Sequence, residues 1–235
     1  MIASLSPKDR LIVALDVPGP DEALRLVAQL GDEVGCFKIG HQLAFAGGIA
    51  LARELVRDGH AIFLDMKLLD IGNTVANGVR SIAKMGVEFL TIHAYPDAMK
   101  AAVEARGDSD LHLLAVTVLT SMDDDDVREA GYAMTAADLA AQRARQARDA
   151  GIDGLICSAQ EVRDLRAIVG PDMRLVTPGI RPAGSASGDQ KRVATPSSAI
   201  RDGADMLVVG RPITQAGDPA DAARRIVGEI ADALA

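Results

Sequence analysis

Ala61-Ile-Phe-Leu-Asp65-Met-Lys67-Leu-Leu-Asp70-Ile71-Gly-Asn-Thr74-Val75 runs from an apolar stretch into alternating charges and then into a helix start. The apolar residues predict a buried strand over 61–64, and Gly72-Asn73-Thr74 opens a helix. Side chains two apart on a strand point to the same side, so Asp65 and Lys67 share a face, and Asp70 follows after the strand has ended. A cation between carboxylates at the mouth of a buried strand is costly unless the charges pair, and such arrangements cluster at functional sites. Alone, Asp-x-Lys-x-x-Asp also fits an ion pair that closes a barrel strand. The rest of the chain has to decide.

The strand-then-helix unit recurs from end to end. Apolar runs at 11–15, 36–39, 61–64, 89–93, 111–118, 154–158, 174–177 and 206–209 alternate with helical patterns at 21–30, 48–58, 74–85, 97–105, 135–150, 159–169, 196–202 and 219–234. Strands this apolar on both faces belong to a parallel sheet covered by helices. Gly31, Gly59, Gly86, Gly151 and Gly203 stand where helices should stop. Eight βα pairs without a composition break predict one (β/α)8 barrel over residues 1–235. An open doubly wound sheet is the runner-up, but no Gly-x-Gly-x-x-Gly follows the first strand.

Composition agrees with a large aliphatic core. Of 235 residues, 49% are hydrophobic, yet only 3% are aromatic and none is Trp. A net charge of −8 excludes a general nucleic-acid binder, while a local basic pocket for a small anion remains compatible with it. Cys36 and Cys157 sit inside apolar runs and read as buried free thiols of a reducing cytoplasm. The first residues lack the apolar core of a signal peptide, and no stretch reaches the length of a membrane span.

Barrel chemistry gathers at the C-terminal ends of the strands. Those ends carry Asp16, Lys38, Asp65 with Lys67, His93, Thr120-Ser121, Ser158, Thr177-Pro-Gly-Ile-Arg181 and Gly210-Arg211. Two lysines and two aspartates at one mouth form a network in which each charge offsets its neighbours' desolvation. The loop after the seventh strand is long and rich in Gly, Ser and Ala, with Arg181, Gln190, Lys191 and Arg192. It is expected to close over a ligand. With Gly210-Arg211 after the eighth strand, it marks a phosphate site, where Gly admits backbone N–H groups and Arg adds a fork of donors.

Other groups carry less. The histidines 41, 60, 93 and 112 have no metal-ligand spacing, and His93 reads as a packed barrel residue. Cys157 has no base partner, and Ser121 and Ser158 lack a nucleophile elbow. The acidic run 123–126 reads as a solvated loop and helix start, and Gly47-Gly48 as the opening of a helix.

These motifs resemble the orotidine 5'-phosphate decarboxylase family in order and over nearly the whole chain. The likeness is carried by Leu15-Asp16, Phe37-Lys38-Ile-Gly, Asp65-Met-Lys67-Leu-Leu-Asp70-Ile71-Gly-Asn-Thr74-Val, Ala115-Val-Thr-Val-Leu-Thr120-Ser-Met, Cys157-Ser-Ala-Gln-Glu161, Thr177-Pro-Gly-Ile-Arg181-Pro, Gly188-Asp-Gln190-Lys-Arg and Val209-Gly210-Arg211-Pro-Ile-Thr. Leu69 and Gly72 depart from the His and Pro common in the family. The resemblance implies cofactor-free, metal-free conversion of orotidine 5'-monophosphate to UMP and CO2 by a homodimer. It implies Lys67 as the acid that protonates C6, Asp65 against the substrate carboxylate and Lys38 completing the network. Asp70, Ile71 and Thr74 would serve the partner's site, and Asp16 and Lys38 the ribose hydroxyls. Thr120 would lie near the base, and Arg181, Gln190, Gly210 and Arg211 would hold the phosphate. Mg²⁺-dependent sugar-phosphate barrels share Asp-x-Lys-x-x-Asp and are the nearest rival. A silent nucleotide-binding barrel is a second.

Overall fold

The computed structural model describes residues 5–182 and 194–235. Gln190, Lys191, Arg192 and most of the expected closing loop lie outside the described residues. Eight strands form a closed parallel barrel: β1 (Leu11–Ala14), β2 (Cys36–Ile39), β3 (Ile62–Leu68), β4 (Phe89–His93), β5 (His112–Val116), β6 (Gly154–Ile156), β7 (Arg174–Thr177) and β8 (Met206–Val209). They pair in sequence order, and β8 closes on β1 through Leu11–Leu207, Ile12–Val208 and Val13–Val209. The expected (β/α)8 barrel is therefore the fold.

The helices are α1 (Pro20–Leu30), α2 (His41–Leu43), α3 (Ile49–Arg57), α4 (Gly72–Ala83), α5 (Pro96–Arg106), α6 (Asp124–Glu129), α7 (Ala136–Asp149), α8 (Val162–Val169), α9 (Pro196–Arg201), α10 (Arg211–Thr214) and α11 (Pro219–Leu234). The glycines predicted to stop helices at 31, 59, 86, 151 and 203 all take positive φ. Two short helices were not expected: α2 leads through a kinked turn into α3, and α10 is a single turn after β8. The helix start read at the acidic run is α6. α6 is nucleated by the acidic run: Asp123 accepts from the N–H groups of Asp125 and Asp126 in a capping box.

Strand alternation divides the core in two. Ile12, Ala14, Cys36, Phe63, Phe89, Leu114, Val116, Ile156, Val176, Met206 and Val208 fill the barrel interior. Their neighbours in sequence, such as Val13, Phe37, Leu64, Leu90, Leu113, Leu175 and Leu207, face the helices. Phe37 and Phe63 are among the largest fully buried side chains, each worth about 1.5–3 kcal/mol of burial. Because side chains recur every second residue, the positions above this interior layer are Asp16, Lys38, Asp65 and Thr91.

The opposite end of the barrel is held by two matching clamps. Asp153 accepts the N–H of Leu113 on β5 at 2.8 Å and pairs with Arg106 of α5. Asp205 accepts the N–H of Leu175 on β7 at 2.8 Å and pairs with Arg166 of α8. Arg166 also donates to the carbonyls of Gly170, Met173 and Gly203. Each clamp satisfies a strand-start N–H and fastens a helix to the sheet.

At the same end β6 begins at Gly154. A Cβ there would stand 2.7 Å from both the Arg174 carbonyl oxygen and Leu114 Cδ2. Gly154→Ala is expected to cost about 1–3 kcal/mol by overpacking, lowering Tm by roughly 2–4 °C per kcal/mol. A thermal melt equal to the wild type would show that β6 shifts freely.

Candidate active site

β1, β2 and β3 present their charged residues side by side at the C-terminal mouth. Lys38 Nζ lies 3.1 Å from Asp16 Oδ1 and 3.5 Å from Asp65 Oδ2, and Lys67 Nζ lies 2.7 Å from Asp65 Oδ1. The predicted Lys/Asp network is thus a continuous chain, Asp16–Lys38–Asp65–Lys67. Its middle is sheltered, with the side chains of Lys38 and Asp65 9% and 15% exposed, while that of Asp16, at 56%, faces solvent. Gly40, just past β2, makes room for it: a Cβ there would stand 3.0 Å from both Asp16 Oδ1 and Lys38 Nζ.

Burial alone would raise the pKa of Asp65, but Lys38, Lys67 and the hydrogen bonds from Lys67 and Thr91 together bring it below the usual carboxylate range. Asp65 is therefore an anion at neutral pH. The imidazole of His93, at the end of β4, is held below its ordinary pKa by burial, then by Arg143 and Lys67, against a weaker opposite pull from Asp65. It is neutral at pH 7, the packed residue the sequence suggested. Burial also pushes both thiols up, Cys157 to about 12, so neither is a nucleophile at neutral pH.

The network lines a cavity of about 540 Å³. Thr120 reaches the same cavity from the loop after β5, and Arg181, Gly210 and Arg211 reach it from the ends of β7 and β8. Burial, then the neighbouring Arg211, lowers the pKa of the Arg181 guanidinium. Two guanidiniums that feel each other suit a doubly charged anion. Among the described residues, no group of three or more His, Cys, Asp or Glu side chains is placed to hold a metal ion. No helix among them is long and apolar enough to cross a membrane.

Not every predicted site residue comes to this cavity. Asp70, Ile71 and Thr74 lie past the end of β3, exposed and outside the cavity lining. Ile71 is 73% exposed, and its N–H donates to Asp70 Oδ1 at 2.6 Å as α4 begins.

The sequence profile described as the orotidine 5'-phosphate decarboxylase / HUMPS family matches residues 9–226. The chain belongs to this family. A relative named orotidine 5'-phosphate decarboxylase from Afipia carboxidovorans is 63% identical over 226 residues, 96% of each chain. One of the same name from a Methylobacterium species is 60% identical and spans 99% of this chain and all of the relative. The crystal structure of orotidine 5'-phosphate decarboxylase from Lactobacillus acidophilus superposes with a TM-score of 0.82 at 39% identity, covering 94% of this chain and 98% of that one.

Two features of this family site escaped the sequence reading. The first is the shape of β3, which was expected to end at residue 64 but pairs with β4 again at Leu68 after a register shift. Within that shift Lys67 has φ of +50°, so the lysine sits on a bulge and not on regular strand. The second is Thr91 of β4, fully buried, which donates to Asp65 Oδ1 at 2.9 Å and accepts the N–H of Lys67 at 2.9 Å. A lone Thr in an apolar strand gives no signal until the bulge opposite it is known.

Asp65→Asn would leave Lys38 buried with one carboxylate fewer, at about 3 kcal/mol for an uncompensated buried charge. A depressed carboxylate stabilises the fold above its unfolded pKa, and that contribution fades as pH falls through the lower folded value. The Tm gap between wild type and variant is therefore expected to be constant near neutrality and to narrow only below about pH 4. A gap that closes between pH 5 and 7 would show that Asp65 does not carry this charge.

Proposed function

We propose that the chain decarboxylates orotidine 5'-monophosphate to UMP and CO2, a step of pyrimidine nucleotide synthesis, with Lys67 as the acid that protonates C6. The single observation that carries the reading is the Asp16–Lys38–Asp65–Lys67 chain lining the cavity that Arg181, Gly210 and Arg211 also reach. A carbanion developing at C6 beside an ammonium is stabilised in the transition state by charge already in place. Asp65 holds the Lys67 ammonium in place, and Lys38 lies against the other oxygen of the same carboxylate. With an ammonium as acid and CO2 as leaving group, the proton and electron balance closes without a metal or an organic electron sink. Binding energy from the phosphate, remote from the reacting carbon, organises the site.

Asp16 and Lys38 are assigned to the ribose hydroxyls, Thr120 to the base, and Arg181, Gly210 and Arg211, with Gln190, to the phosphate. Asp70, Ile71 and Thr74 are assigned to the site of a second copy. Their exposure outside their own cavity supports that assignment, as does the exposed side chain of Leu69 beside them in the chain. Two buried unpaired thiols suit a reducing cytoplasm.

In excess EDTA, loss of the orotate absorbance is expected with wild-type protein, falling by about 10²–10⁴ or more with Lys67→Ala. No turnover by the wild type would sink the activity and favour a Mg²⁺-dependent sugar-phosphate reaction. Turnover that survives in the variant would keep the activity and refute the acid. The shared site has its own test: Lys67→Ala and Asp70→Ala proteins, each inactive alone, should recover about a quarter of wild-type activity when mixed and allowed to exchange, because hybrid dimers hold one intact site. No recovery in mixtures shown to exchange subunits would place Asp70 in its own chain's site.

A further inference from the structure

Lys67 is, among the described residues, the one non-glycine residue with φ in the left-handed region. A residue with a long side chain adopts this conformation only where its surroundings hold it there. The cause is local. From Leu64 to Leu68 β3 advances four residues, while β4 advances two, from Leu90 to Ile92. The surplus is thrown into a bulge, and the N–H of Lys67 loses a ladder carbonyl as partner. It donates instead to Thr91 Oγ1.

The Thr91 hydroxyl has one proton, and that proton goes to Asp65 Oδ1, the oxygen that also accepts from Lys67 Nζ. A closed ring results: Lys67 N–H to Thr91 Oγ1, Thr91 O–H to Asp65 Oδ1, and Lys67 Nζ to the same Oδ1. Thr91 is 0% exposed, so water does not substitute for its hydroxyl. A hydroxyl suits the position because it donates and accepts through one atom. From the other side, His41 Nε2 lies 3.2 Å from the Met66 carbonyl and braces the same bulge.

The geometry points to Thr91 as a positioning residue of the reaction, fixing Lys67 at both its backbone and its ammonium from a buried place outside the described cavity lining. This rests on the reading of Lys67 as the acid. A lysine side chain swings about four torsions, and a proton donor must be held within a fraction of an ångström of its line to carbon. Fastening the backbone of Lys67 and the carboxylate it pairs with through one buried hydroxyl removes most of that freedom. Valine fills the space of threonine but leaves the Lys67 N–H unpartnered and Asp65 short of a donor, so the bulge can relax.

The test compares wild type, Thr91→Val and Thr91→Ser in steady-state turnover of orotidine 5'-monophosphate and in calorimetric binding of UMP. Thr91→Val is expected to lower kcat by about 10- to 100-fold with KM and UMP affinity little changed, because the loss is in alignment and not in ground-state binding. Thr91→Ser keeps the hydroxyl and should recover most of kcat. If Thr91→Val does not fold, Thr91→Cys takes its place, with the same expected split. An unaltered kcat in Thr91→Val overturns the role, as does a Ser variant no better than Val. A fall in UMP affinity matching the fall in kcat does so too, since it marks a structural residue. Wild-type protein that fails to turn over the substrate defeats the decarboxylase reading, whereas normal wild-type turnover beside an unaffected Thr91→Val defeats Thr91 alone.

Discussion

The site depends on one carboxylate. Asp65 stands between Lys38 and Lys67, one oxygen toward each, under a cover that leaves it 15% exposed. Burial pushes such a group toward its neutral form, and only the two ammoniums and the hydrogen bonds to it reverse the balance. The dependence is mutual: without the anion, two like charges would share a sheltered space. Asp65 is thus unsuited to trade protons at neutral pH. It fixes the charge and the place of the groups on either side.

Barrel geometry is what brings those groups together. Period-two alternation sends every second side chain inward, and closure of the sheet points all eight sets at one axis. The lower inward positions are apolar, from Ile12 to Val208, and the positions above them become Asp16, Lys38, Asp65 and Thr91. One strand register therefore decides both the dry floor and the charged layer on it. The far end is closed by the Asp153–Arg106 and Asp205–Arg166 clamps, which hold strand starts and so keep the register on which the upper layer relies.

Much of this was legible in the sequence for that reason. Apolar runs separated by amphipathic stretches have one economical solution, and glycines at the helix stops placed the turns. All eight strands lie where the runs did, differing by one to four residues at the ends of β1, β3, β5 and β6. The convergence of Asp16, Lys38, Asp65 and Lys67 followed from their positions at strand ends. What was not legible was the bulge. Alternation put Asp65 and Lys67 on one face as if the strand were regular, and their side chains do meet, but through a left-handed Lys67 that no pattern of residues announces. Thr91 was missed with it, because its role exists only opposite that irregularity. Short helices such as α2 and α10 fall below the length at which a 3.6-residue period can be read.

Overall charge is equally poor guidance to what the cavity accepts. The chain carries −8, yet its described cavity lining sets Lys38, Lys67, Arg181 and Arg211 against Asp16, Glu22 and Asp65. The cations are divided by place. Arg181 and Arg211 reach the cavity from the ends of β7 and β8, and Lys38 and Lys67 reach it from β2 and β3, each in an ion pair with Asp65. On the proposed reading, an anionic substrate whose phosphate lies at the arginine end meets, at the other, an ammonium whose charge is already balanced by Asp65. This balance has a consequence. If Lys67 bound the substrate carboxylate with its full charge, the ground state would gain as much as the transition state and the rate would not rise. With Asp65 occupying it, Lys67 has less to offer a carboxylate already present and more to offer a carbanion that forms only as CO2 departs.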